Sequence, residues 1–320
     1  MKVVVTGGAG FIGSNTVLVL LAAGHEVVVV DDLSTGKVAN LDGTDARLVE
    51  GSILDEGVLD RALPGAGCVV HLAARASVAG SIADPLASHA VNATGTMRVL
   101  EAARRHGTEH VVVGSSSSVY GEDAPLPHQE DHPPRPASPY AASKLAAESY
   151  ALAWAEAFGF GVLALRFFNV FGPRQPVDHD YSAVVPAFVD AALGRRPLVI
   201  TGDGRQRRDF VDVGTTAAVL AQAVDRRVTS AVPVNLGTGT ATSVVDLAVA
   251  VEAAVGHPVE RVHVDGRPGE LRHSQADTTR FATLFPGIRP APLADALAGT
   301  VAWWRGGSEP NEPASRCTTS

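Results

Sequence analysis

Val3-Val4-Val5-Thr6-Gly7-Gly8-Ala9-Gly10-Phe11-Ile12-Gly13 opens the chain and decides its fold. The β-branched run at 3–6 reads as a strand, because branched side chains fit a pleated, buried surface. It passes without a linker into the glycines and then into an apolar helical stretch that reaches about residue 23. Glycines at 7, 10 and 13 permit a tight turn, a close approach of the backbone to a pyrophosphate, and close helix-to-sheet packing, with the phosphates at the helix N-terminus. A glycine turn alone is common; the strand before it and the helix after it make this one a nucleotide turn. A second strand, 26–30, ends in Asp31-Asp32. A carboxylate there accepts hydrogen bonds from the adenosine ribose hydroxyls and repels a 2′-phosphate, which points to NAD rather than NADP.

Further strands at 46–50, 68–72 and 110–115 alternate with helical stretches, the longest at 85–106. Such alternation predicts an α/β fold with a doubly wound (Rossmann) parallel sheet covered on both faces, and ligands bind at the carboxyl ends of its strands. His71-Leu72-Ala73-Ala74 and Ser115-Ser116-Ser117-Ser118 fall at two such ends. His71 reads as a satisfied structural histidine ahead of a catalytic one, and the serines as a hydrogen-bonding wall. The second half is less regular and reads as a smaller C-terminal α/β lobe. It has helices at 181–193, 212–226, 243–255 and 293–305, strands at 198–201 and 233–236, and a turn at Gly202-Asp203-Gly204. The expected division is 1–168 for the dinucleotide and 169–305 mainly for the substrate, with 212–240 returning to the main sheet. Residues 306–320 lack periodicity and read as a flexible tail.

The 320 residues suffice for a sizeable core. A formal charge of −8 argues against nucleic acid or anionic membrane as the main partner, so an anionic substrate requires a local cluster of arginines. Cys68 sits in a strand and Cys317 in the tail; neither belongs to a disulfide framework or a metal site, which fits a reducing cytoplasm. No apolar run is long enough for a bilayer, and the chain begins directly with a strand, leaving no room for a signal peptide.

At Ser138-Pro139-Tyr140-Ala141-Ala142-Ser143-Lys144, Ser138 is an N-cap and Pro139 the first helical residue. Tyr140 and Lys144, four apart, share a helix face. A cation beside a phenol favours its ionised form, so the pair is a candidate general base and acid.

With these stretches go His71-Leu-Ala-Ala74, Asn92-Ala-Thr-Gly-Thr96, Ser115-Ser-Ser-Ser-Val-Tyr-Gly121, Arg166-Phe-Phe-Asn-Val-Phe-Gly-Pro-Arg174, Arg208-Asp-Phe-Val-Asp212 and Arg272-His-Ser-Gln-Ala-Asp277. In this order and spacing the chain, from Lys2 to about Trp304, resembles the extended short-chain dehydrogenase/reductases of the nucleotide-sugar epimerase and dehydratase branch, most closely the NAD-dependent UDP-hexose 4-epimerases. The resemblance implies Ser116, Tyr140 and Lys144 as catalytic groups. It implies an NAD site from Gly7, Gly10, Phe11, Ile12, Gly13, Asp31, Asp32, Ser52, Ile53, Leu72, Ala73, Ala74, Asn92 and Ser115, besides Tyr140 and Lys144. For the UDP-sugar it implies Ser77, Ser117, Ser118, Asn169, Arg174, Val184, Arg208, Arg267, Glu270 and Ser274, with Arg208 and Arg267 on the pyrophosphate. A homodimer built from the helices at 85–106 and 139–158 is implied as well.

The sequence departs from its relatives in informative places. Related 4,6-dehydratases carry Asp-Glu after the catalytic hydroxyl, and related decarboxylases a Glu before the valine; here those positions are Ser117 and Ser118, which cannot act as carboxylate bases. Ser52 replaces an Asp that often meets adenine, and Pro176 replaces a polar or charged loop residue. The expected reaction is 4-epimerisation of UDP-glucose or UDP-glucuronate. The alternatives are a UDP-N-acetylhexosamine 4-epimerase, for which the small Ser274 leaves room, and a dehydratase or decarboxylase. More remote is a non-catalytic NAD-binding sensor or scaffold, which would commonly lack Ser, Tyr or Lys.

Overall fold

A computed structural model describes residues 1–177, 183–266 and 272–306. Val3 and Val5 of β1 (Lys2–Thr6) enter one core cluster and Val4 another, so the strand is buried on both faces. The alternation recurs in β2 (Glu26–Asp31), where Val27 and Val29 oppose Val28 and Val30. With β3 (Arg47–Glu50), β4 (Cys68–His71), β5 (His110–Ser116), β6 (Gly161–Phe167) and one later strand they form a sheet whose pairings are all parallel. Burial on both faces is what a continuous valine run supplies, since each buried side chain of this size is worth about 1.5–3 kcal/mol.

Helices α1 (Phe11–Ala22), α2 (Glu56–Ala62), α3 (Val78–Ala83), α4 (Pro85–His89), α5 (Gly95–Arg105), α6 (Pro139–Phe158), α7 (Val184–Leu193) and α8 (Val213–Asp225) follow in chain order. α1 and α8 cover one face of the sheet, and α2, α5 and α6 the other. Three-stranded and two-stranded sheets are built from β7 (Asn169–Phe171), β8 (Leu198–Thr201), β9 (Arg207–Asp212), β11 (Ala241–Ser243) and β12 (Arg261–Val264). Between them β10 (Val234–Leu236) returns to the edge of the main sheet beside β6, giving the order β10-β6-β5-β4-β1-β2-β3. That order reverses between β1 and β4, the crevice where doubly wound sheets bind ligands. A third core cluster joins α7, α9 (Val244–Val255) and α11 (Leu293–Arg305), while Phe281 of α10 (Thr279–Leu284) and its C-cap Phe285 pack on the main core.

The stretch 85–106 is not one regular helix. A π-helical turn, Ala90–Thr94, separates α4 from α5. Asn92 sits in this turn with its side chain bonded to the backbone of Arg75 and to Ser143, and Thr96 Oγ1 donates to the Asn92 carbonyl at 2.6 Å. Polar demands outside the helix thus displace the regular ladder, as π-turns commonly do near functional sites. Arg207 and Arg208 begin β9, a strand that the sequence pattern does not predict. The helix expected over 181–193 starts at Val184 among the described residues, and the tail expected from Gly306 lies beyond them save for Gly306 itself.

Candidate active site

At the crevice the glycine turn leaves no room for side chains. Gly7 has φ +70°, and a Cβ on it would stand 2.7 Å from Ala73 N; one on Gly13 would stand 2.0 Å from the Gly7 carbonyl. Leu72 and Ala73 therefore abut the turn itself. Gly10 is the N-cap of α1 and lends no side chain to its first amides, which carry the positive end of the helix dipole at Phe11, Ile12 and Gly13. Asp31 is buried at the end of β2; one oxygen accepts from Ala9 N and the other from Leu33 N, both at 2.9 Å. Burial raises its pKa and the backbone bonds oppose that. An uncapped helix start above side-chain-free backbone, flanked by a carboxylate, fits a dinucleotide with free ribose hydroxyls.

Other residues expected at the cofactor have mixed positions. Asp32 is exposed and takes the amide and hydroxyl of Ser34 on one oxygen. Ser52 accepts from Leu54 N, and Ile53 is buried where a Cβ on Gly95 would meet it. Asn92 spends both amide hydrogens inside the protein, on Arg75 O and Ser143 Oγ, and Ser143 Oγ donates to Tyr140 O at 2.8 Å. This geometry makes Asn92 a brace for α6.

His71 is the centre of a second buried chain. Because Thr96 Oγ1 gives its hydrogen to Asn92 O, His71 Nε2 must donate to Thr96 at 2.9 Å, and Nδ1 then accepts from Thr6 Oγ1 at 2.7 Å. Thr6 in turn accepts from Ala73 N. Burial drives the His71 pKa down to about 3, with Lys144 adding to the shift, so the ring is neutral.

Ser116 ends β5 as the N-cap of the short turn Ser117–Tyr120, and Tyr140 lies in the first turn of α6, which packs on β5. Ser138 Oγ caps that helix by accepting from Ala141 N, and Ser81 Oγ accepts from Tyr140 N at 3.0 Å. Burial raises the pKa of the Tyr140 phenol, and the Ser116 hydroxyl acts against that rise. Burial takes the Lys144 ammonium down to about 8, and the phenol's relief comes from Ser116. Glu148, one turn beyond Lys144, opposes that loss of charge; it accepts from Ser115 Oγ at 2.7 Å and forms a two-pronged pair with Arg166.

On the substrate side Ser77 caps α3 by accepting from Gly80 N, and Ser117 is half-buried, its hydroxyl without a hydrogen-bond partner among the described residues. Ser118 is turned onto Ser116. Asn169 opens β7 and pairs with Phe210 of β9, while Val184 begins α7. Arg174 is half-buried at φ +67°, where burial lowers its pKa. Arg208 donates to the carbonyls of Arg207 and Arg272, and Ser274 is buried with its amide on Arg207 O and its hydroxyl without a partner among the described residues. Arg267 and Glu270 lie outside the described residues. Sequence reasoning passed over Asp209, which is fully buried and collects Thr238 N, Thr238 Oγ1, Gly239 N and Ala276 N, tying the Ser274 segment to β9.

A parallel sheet with this strand order, a glycine turn at its switch point and Ser, Tyr and Lys at the neighbouring strand end define a dinucleotide-dependent enzyme fold. Residues 3–237 match the NAD dependent epimerase/dehydratase family, and the chain belongs to that family, whose cofactor is NAD. A UDP-glucose 4-epimerase of Mycolicibacterium smegmatis is 39% identical across 97% of this chain and 100% of its own. UDP-glucose 4-epimerase from Thermotoga maritima, solved with UDP-glucose, superposes with a TM-score of 0.89 at 35% identity, covering 96% of this chain and 99% of that one. dTDP-glucose 4,6-dehydratase from Streptomyces venezuelae, solved with NAD, gives 0.87 at 33% identity, over 96% and 97%.

Proposed function

We propose that the protein interconverts the C4 epimers of a UDP-hexose, UDP-glucose or UDP-glucuronate, through a transient 4-keto sugar. The observation that carries this is the end of β5: Ser116 stands beside Tyr140, and the next two side chains are hydroxyls rather than the acids that elimination needs. Tyr140 takes the proton of the C4 hydroxyl, Ser116 donates to the same oxygen, and Lys144 holds the nicotinamide ribose. Bound NAD supplies the hydride acceptor and donor, with no net redox change. Arg208 and Arg267 hold the pyrophosphate, because planar guanidinium groups suit phosphate oxygens, and Asn169, Arg174, Val184 and Glu270 contact the rest of the nucleotide sugar. The sugar is held loosely enough to turn and return its other face.

In this reading residues 1–168 bind NAD and 169–305 mainly the nucleotide sugar. The exposed Leu86 (81%) and Phe158 (50%) on α4 and α6 support pairing with a second copy through these helices. The buried free thiol of Cys68 fits a cytoplasmic setting, and among the described residues no helix is long and apolar enough to cross a membrane. Testing UDP-glucose, UDP-glucuronate and their N-acetyl counterparts for 4-inversion, with Tyr140→Phe alongside, checks the proposal. Inversion of at least one sugar, lost by orders of magnitude in the variant, is expected. A Tyr140→Phe protein as active as wild type, or a stable 4-keto-6-deoxy product, would refute it.

A further inference from the structure

Ser116 carries an oxygen with two lone pairs and one hydrogen. Both acceptor directions are engaged by a single residue: Ser118 N–H reaches Ser116 Oγ at 3.1 Å and Ser118 Oγ–H at 2.9 Å. With Ser118 as the donor in both contacts, the hydrogen of Ser116 is left for a third group, and Tyr140 is the residue whose phenol Ser116 influences. We propose that Ser118 is a positioning residue of the reaction centre: it fills the acceptor side of Ser116, so that the Ser116 hydroxyl can only donate toward Tyr140 and the sugar oxygen.

Two physical consequences follow. Hydrogen bonds in a chain polarise one another, so Ser118-to-Ser116 donation strengthens the Ser116 bond to a phenolate and eases proton removal from Tyr140. The Ser118 hydroxyl is also spent, which transfers recognition of the sugar's C6 substituent to Ser117. The charged and titratable neighbours are already engaged. Lys144 and Glu148 come from α6, with Glu148 held by Arg166 of β6; His71 at the end of β4 is neutral, and Tyr120 from the following turn donates to Asn235.

The inference rests on the 4-epimerase reading for its kinetic arm alone. Ser118→Ala removes the hydroxyl and keeps the amide; Ser118→Thr keeps both donors. In the NAD-loaded proteins without substrate, the Tyr140 phenolate is titrated by ultraviolet absorbance after subtraction of Tyr140→Phe. Expected is a higher Tyr140 pKa in Ser118→Ala and a wild-type value in Ser118→Thr. In turnover of whichever UDP-sugar the wild type inverts, Ser118→Ala should lose about 3–10-fold in kcat with KM unchanged, the worth of one hydrogen bond, and Ser118→Thr should recover it. An unmoved titration in Ser118→Ala, equal impairment of the Thr variant, or a loss confined to KM would overturn the inference. If the wild type inverts no UDP-sugar, the functional reading falls and the titration still decides the role of Ser118.

Discussion

Lys144 and Glu148 stand one helical turn apart on α6, and the carboxylate works against the loss of charge that burial imposes on the ammonium. Glu148 can do so because Arg166 of β6 grips both of its oxygens, at 3.0 and 2.7 Å, with each side chain 3% exposed. Ser115 adds a hydroxyl from β5. One carboxylate thereby registers the helix bearing Tyr140 and Lys144 against the strand bearing Ser116.

Glu148→Gln should shift the alkaline limb of kcat to lower pH. Burial lowers the Lys144 pKa to about 8 and Glu148 raises it, so removing the negative charge lets the ammonium lose its proton sooner. A pH–rate profile checks the direction; a limb that stays in place or moves upward would contradict the assignment. Arg166→Met alone should cost about 3–5 kcal/mol in urea unfolding, and adding Glu148→Leu should recover most of it, because the first change strands a buried charge and the second removes it.

Acid should weaken the fold through His71. Its pKa in the folded protein, about 3, lies below the ordinary value of 6.5, so between these values the unfolded chain binds the extra proton. Stability from this group is complete above about pH 6.5 and falls as the pH drops toward 3. Unfolding free energies of wild type and His71→Asn across that window should show a shallower slope in the variant. Equal slopes would remove His71 from the account.

Two glycines should respond oppositely to alanine. At Gly13 the new Cβ would meet the Gly7 carbonyl at 2.0 Å, a backbone collision, so the loss should exceed the about 1–3 kcal/mol of ordinary overpacking, and bound NAD should fall with it. At Gly299, inside α11 with open space around it, alanine should add about 0.5–1 kcal/mol. Thermal melts and NAD content of the purified variants test both; retained NAD in Gly13→Ala would disprove the role given to the turn.

The turn at Gly7 to Gly13 was legible because its strand, glycines and helix are contiguous, and Tyr140 with Lys144 because helical spacing places them on one face. Arg166 and Glu148 were not, since their pairing exists only once α6 lies across β5 and β6. The π-turn at Asn92 was hidden for a similar reason: its cause is the Arg75 backbone and Ser143, both distant in sequence. β9 escaped because Arg207-Arg208-Asp209 shows no apolar alternation, and its buried member is an aspartate satisfied by four donors from two other segments. Ser118 was read as facing the sugar, and no pattern in the sequence tells that its hydroxyl turns back to Ser116.

In the proposed 4-inversion the hydride leaves and returns to the same carbon. UDP-glucose deuterated at C4, incubated with the NAD-loaded protein, should yield UDP-galactose carrying the deuterium at C4, with no accumulation of reduced cofactor. Deuterium recovered at C6 of a 4-keto-6-deoxy sugar would contradict it.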